Sequence, residues 1–227
     1  MRRGIVLYGD GAVRSEEDGR MPAGSGAVED TLNVPRHLLV VSGHPGSGKT
    51  TVARPLAMAL GWPLVSRDDL KELLFDHLGI GDREWSKALG AASYDLMDRT
   101  LGLLMETGAG VVAEANFSAA AARSLRALAQ RWDYAVLEVC CSAPAPLLVA
   151  RFNRRAHEGQ RHAGHRDADN LPEQAARVAV PYQPLGVGPV LRLDTTELPA
   201  VVLQRAREWV AAQVGRLPTD VPSGASL

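Results

Sequence analysis

The sequence predicts an α/β fold, a parallel sheet covered by helices on both faces. Two observations carry the expectation. Short apolar runs alternate with stretches of helical period along most of the 227-residue chain, and parallel strands need long crossovers, which helices supply. The chemistry-bearing residues also follow apolar runs, and ligands in such sheets bind beyond the carboxyl ends of the strands.

Strands are predicted at Leu38–Ser42, Pro63–Ser66, Gly110–Ala115, Tyr134–Cys141 and Val190–Asp194, each short, apolar or β-branched, and flanked by turn or helix signals. Helices are predicted between them at Gly48–Leu60, Asp68–Leu78, Arg83–Thr107, Ser118–Trp132, Pro144–His157, Pro172–Val180 and Leu198–Val214. Residues 1–35 mix Gly, Ser, Pro and acids without sustained period and read as a flexible extension. The domain is expected over 36–214, with a second flexible tail over 215–227 that includes LPTDVPSGASL.

Apolar residues at 46% and charged residues at 22% suit a globular chain with an ample core. The net charge of -1 excludes a whole-protein electrostatic attraction to nucleic acid or anionic membrane. No apolar run reaches the roughly 18 residues of a membrane span, and the N-terminal apolar run is too short for a secretory core. A cytoplasmic protein, monomer or homodimer, is expected. Cys140 and Cys141 are adjacent, which fits neither a disulfide framework nor a zinc spacing and suits buried small hydrophobes. Only Lys49, Lys71 and Lys87 are lysine among 25 basic residues, so a lysine inside a glycine loop stands out.

That loop is VSGHPGSGKTT. Gly43, His44, Pro45, Gly46, Ser47, Gly48, Lys49 and Thr50 match G-x-x-x-x-G-K-[ST], with Thr51 following. Glycines let backbone N–H groups turn inward toward phosphate oxygens, and the following helix adds its positive end. Lys49 would reach the β/γ-phosphates and the Thr50 hydroxyl would hold Mg²⁺. ATP and Mg²⁺ are the expected cofactors.

Acids follow the next two strands. Asp68 and Asp69 open a helix, where capping and the helix dipole also favour them. One of them can take a proton from an attacking hydroxyl while the other helps hold metal, and Lys71, one turn on, can steady the transferred phosphoryl group. Glu114 and Asn116 end the third strand, where a carboxylate supports the metal in phosphate-loop proteins; both also suit simple pairing with strand-end backbone groups. From Arg151 to Arg166 the chain carries five arginines and three histidines against one glutamate. Arg151, Arg154 and Arg155 share a helix face, and arginine forks suit the spread charge of a transferring phosphoryl group. A lid is expected there. The histidines have no partner acid at helix-face spacing, which points to solvated or substrate-contacting roles.

Together GHPGSGKTT, SRDDLKELL, VVAEANF and RFNRRAHEGQR resemble the phosphate-loop kinases of the polynucleotide 5′-kinase, zeta-toxin and chloramphenicol phosphotransferase type, over roughly residues 37 to 210. The resemblance implies a three-layer P-loop NTPase fold with five parallel strands in the order 2-3-1-4-5. It implies Asp68 as catalytic base, Lys71 in place of an arginine at the transferred phosphate, and lid arginines on the ATP phosphates, with Arg151 and Arg155 as candidates. It further implies an adenine seat near Leu193–Thr196, and acceptor-binding elements in the region of the helix Arg83–Thr107, which carries Tyr94 and Arg99; Leu96, Leu101 and Leu104 of that helix are expected in the core.

Three functions compete at this point: a small-molecule kinase acting on a hydroxyl, a polynucleotide 5′-hydroxyl kinase, and a regulatory NTPase without an acceptor. Few aromatics and a slightly negative charge disfavour the second. The acid pair, suited to an attacking hydroxyl, disfavours the third.

Overall fold

The computed structural model describes residues 36–158, 162–165 and 171–215. Both expected extensions, 1–35 and the tail beyond Gly215, lie outside the described residues, as do Arg161 and Arg166.

Five strands form one parallel sheet: β1 (His37–Gly43), β2 (Leu64–Ser66), β3 (Val111–Glu114), β4 (Ala135–Ser142) and β5 (Val190–Asp194), in the order β2-β3-β1-β4-β5. The period of two along β1 explains why its apolar run is unbroken. Leu39 and Val41 pack with the buried faces of α1 (Lys49–Leu60) and α7 (Pro199–Val214). Leu38 and Val40 point the other way, into a second core built by α3 (Arg83–Glu106) and α4 (Ala119–Trp132). The result is three layers with two cores. Cys140 and Cys141 are buried in the central sheet, and burial raises the pKa of both thiols, that of Cys141 to about 12.

Helices α2 (Arg67–Leu78), α5 (Ala145–His157) and α6 (Leu171–Ala179) complete the described residues, with a single 3₁₀ turn at Ala163–His165. No described helix is long and apolar enough to cross a membrane. One core expectation is corrected. Leu101 is fully buried and Leu104 packs against the second core, but Leu96 is 42% exposed. At a rotation of 100° per residue, Leu96 falls just off the face that Met97, Leu101 and Met105 bury.

Candidate active site

Every strand ends at the same edge, so their exits meet. Register fixes the neighbours: Glu114 stands beside Val41 on one side and Ser66 on the other, and Gly43 stands beside Cys141. The chain leaves β1 through Gly43 at φ 142°, where a Cβ would lie 2.3 Å from the Cys141 carbonyl oxygen. Only glycine fits there. The loop then closes on itself, with Lys49 Nζ donating to the His44 carbonyl at 3.0 Å and Ser47 N donating to the same oxygen at 3.1 Å. Gly48, at φ 79°, turns the chain into α1.

A cavity of about 1170 Å³ opens over this loop. His44, Pro45, Gly46, Gly48, Lys49, Thr50 and Thr51 line it, whereas Gly43 and Ser47 shape the loop from beneath. The Ser47 hydroxyl is buried and has no hydrogen-bond partner among the described residues. His44 Nε2 lies 2.8 Å from the Val180 carbonyl, to which it donates, and its ring meets Tyr182 edge-on. Burial lowers the His44 pKa, and the Lys49 and Arg177 charges add to that against the hydrogen bond it donates to the Val180 carbonyl, which raises it.

The acids divide. Glu114 is 3% exposed and accepts from Thr50 Oγ1 at 3.2 Å and Ser66 Oγ at 3.0 Å. Burial raises its pKa; Lys49 opposes that shift and Asp68 adds to it. Asp68 lines the cavity and pairs with Arg67 at 3.2 Å. Asp69, one residue on, turns to the outer surface and binds Arg54 through both oxygens at 2.9 and 2.7 Å. A rotation of 100° separates neighbours on α2, so only one of the pair faces the cavity; Asp69, expected as a metal ligand, does not line it. Lys71 does, buried, with Nζ donating to Ser86 Oγ at 3.0 Å.

The arginines divide too. Arg155 lines the cavity, stacked over Phe152. Arg154 is exposed. Arg151 is drawn to the strand edge, donating to the Thr195 carbonyl at 2.7 Å, to Thr195 Oγ1 at 3.2 Å and to the Gly46 carbonyl at 3.4 Å. It braces the glycine loop against the exit of β5 and is not among the cavity-lining side chains. Two of the three histidines, which lack an acid at helix-face spacing, meet one across the fold: His165 meets Glu72 at 2.9 Å and His162 meets Asp76 at 3.1 Å, with Phe75 of α2 packed against both rings, whereas His157 is exposed and bonds the Asn153 carbonyl. The acids lie four residues apart on α2, so the spacing was in the partner helix.

Three groups at the site carried no separate signal in the sequence; Arg67 and Tyr182 line the cavity, and Ser66 lies behind Glu114. Arg67 bridges Asp68, the Gly90 carbonyl at 3.2 Å and the Tyr94 ring. Ser66 holds Glu114. Tyr182 donates to the Phe117 carbonyl at 2.9 Å. Tyr94 lines the cavity as expected, whereas Arg99 is exposed and outside it.

The residues present fit a nucleotide triphosphate with Mg²⁺. The loop is a glycine-shaped cradle around Lys49, and Thr50 with Glu114 offers a hydroxyl and a carboxylate side by side. Among the described residues no group of three or more His, Cys, Asp or Glu is placed to hold a metal alone, so a bound Mg²⁺ would draw further oxygens from phosphate and water.

Residues 38–181 match the family described as the AAA domain. A putative kinase from Chloroflexus aurantiacus is similar in structure at TM-score 0.66, with 33% identity over 77% of this chain and 98% of that one. The APS kinase of Mycobacterium tuberculosis, solved with AMPPNP and APS, is similar at TM-score 0.50 and 21% identity, over 79% of this chain and 98% of that one, and shows the fold alone. An uncharacterized protein of Mycobacterium tuberculosis is 29% identical over 61% of this chain, and the match spans 31% of that protein's length. With the phosphate loop, the strand order and the family match over one continuous stretch, the chain belongs to this AAA-domain family and has the fold of the P-loop kinases.

Proposed function

We propose that the protein is an ATP-dependent kinase that transfers the γ-phosphate to a hydroxyl of a small molecule. One observation carries the reading: Asp68 and Lys71 line the same cavity as the phosphate loop, so an acceptor and a donor phosphate can meet there. The loop amides and Lys49 bind and orient the phosphates of ATP, and Thr50 and Glu114 hold Mg²⁺, which neutralises charge on the phosphates. Asp68 takes the proton of the acceptor hydroxyl as its oxygen bonds to the γ-phosphorus. The bond from that phosphorus to the bridging oxygen breaks, and ADP leaves.

Lys71 and Arg155 offset the charge of the group in flight. Arg67 keeps Asp68 turned inward, its own direction fixed by Gly90 and Tyr94. Arg151 contributes by holding the loop. Closure of the arginine-rich segment over the site would exclude water, which otherwise competes for the phosphate.

Asp68→Asn is expected to lower kcat for transfer by about 10²- to 10⁴-fold while the Kd for a non-hydrolysable ATP analogue stays near wild type. Transfer at the wild-type rate by the Asn variant would remove Asp68 as base.

A further inference from the structure

The cavity runs past Asp68 along α3. Arg83, Ser86, Lys87, Gly90, Ala91 and Tyr94 line it, and steps of three and four residues make them one helix face. With Lys87, all three lysines of the chain face this cavity. The stripe has an inner and an outer end. Tyr94, inside, donates to the Asn116 carbonyl at 3.2 Å. The Gly90 carbonyl accepts from the same Arg67 that touches Asp68, which sets Gly90 level with the candidate base.

Lys87 and Arg83 lie one and two turns outward, roughly 5 and 10 Å from Gly90 along the axis. Their side chains are 58% and 51% exposed, as befits the mouth. Helix α6 brings Arg177 and Glu173 to the same mouth. Arg83 pairs with Glu173, Arg177 reaches Glu173 at 3.6 Å, and Lys87 pairs with Glu84 at 2.7 Å. Among the described residues Glu173 thus takes both Arg83 and Arg177, and Glu84, the partner of Lys87, does not line the cavity. Other lining acids are engaged elsewhere: Asp82 caps α3 by accepting from Trp85 N at 2.8 Å, and Glu114 is held by Thr50 and Ser66. Exposed ion pairs of this kind contribute little, so an incoming anion can displace the carboxylates.

We propose that the acceptor is a small molecule carrying a carboxylate or phosphate about 5–10 Å from the reacting hydroxyl, with Lys87, Arg83 and Arg177 as its anion seat. The inference rests on the kinase reading above. The seat fixes the far end of the acceptor so that its hydroxyl reaches Asp68, and it selects against neutral analogues.

The test measures transfer of radiolabelled phosphate from ATP to matched triplets: glucose, gluconate and glucose 6-phosphate; ribose, ribonate and ribose 5-phosphate. Wild-type protein is compared with the double variant Lys87→Gln, Arg177→Gln. The wild type is expected to favour a charged member over its neutral partner in kcat/KM by about tenfold or more. The variant is expected to bring that ratio toward one by raising KM for the charged member. The carboxylate and phosphate arms tell which anion is taken. Equal use of charged and neutral members overturns the anion seat and leaves the kinase reading standing. A variant that loses affinity for a non-hydrolysable ATP analogue as steeply as it loses the charged acceptor also overturns the seat, since those cations would then serve the donor. Release of ADP with the γ-phosphate passed to water alone, and no member phosphorylated, overturns the kinase reading and the seat with it.

Discussion

The two ends of the cavity are built by different physics. The donor end is backbone: a glycine loop pinned between strand exits, with a Cβ excluded at 2.3 Å from a neighbouring carbonyl and Glu114 buried at its side. The acceptor end is side chain: a stripe on α3 whose cations are about half exposed, Arg83 paired across to Glu173 of α6 and Lys87 to Glu84 of its own helix. Buried backbone tolerates almost no change, because neighbouring carbonyls and strands cannot step aside. Exposed pairs shift partners readily. The donor end therefore keeps one shape, and the acceptor end is where a change of substrate costs least in stability.

Matched glycine substitutions put the contrast to the sharpest test. Gly43→Ala forces a Cβ onto the Cys141 carbonyl at positive φ, and unfolding by urea should show a loss of about 3 kcal/mol or more. A loss below about 1 kcal/mol would mean the loop is more pliable than its neighbours suggest.

Glu114→Gln should show a middle effect, read by thermal shift. The Glu114 carboxyl is raised mainly by burial, so its charged form disfavours the folded state. Stability from this group is full below the unfolded carboxyl pKa and is lost as pH rises through the folded one. At pH 7 the free Gln variant is expected to be at least as stable as wild type, while the added stabilisation from Mg²⁺ with ATP shrinks. A variant stabilised by Mg²⁺ and ATP as fully as wild type would show that Glu114 does not support the metal.

Gly90→Ala, at the acceptor end, should show the smallest effect on stability. Its Cβ would come within 2.7 Å of the Arg67 guanidinium, the far end of a flexible side chain, and the helix gains about 1 kcal/mol of propensity. Stability is expected within about 1 kcal/mol of wild type, while kcat/KM for the acceptor falls and ATP affinity holds, because Arg67 must move off Asp68. Equal losses at both ends of the cavity would dissolve the contrast.

The elements were legible because they depend on local pattern. Each strand and helix boundary was placed within a residue or two, since period two and period 3.6 leave their marks in neighbouring positions. The glycine loop was legible for the same reason: its shape is written in consecutive residues. Asp68 and Asp69 were not separable by type or position, and the 100° between neighbours on α2 sent the second to Arg54. Arg151 and Arg155 looked alike at four-residue spacing, yet one braces the loop through Thr195 while the other faces the cavity. Glu138 sat unremarked inside the fourth strand; it is fully buried and accepts from Ser42 Oγ at 2.8 Å and from the backbone of Leu185 and Gly186, tying the segment that carries Tyr182 to the sheet.

By itself, then, the sequence determined the layered α/β fold, the phosphate loop and the types of residue available for transfer, because period and motif are short-range. Only the tertiary structure decided which acid and which arginine face the cavity, which carboxylates on α2 the histidines meet, and that Arg83, Lys87 and Arg177 gather at one mouth. Those outcomes depend on the rotation of one helix against another and on contacts between residues about 90 positions apart, and no local pattern records either.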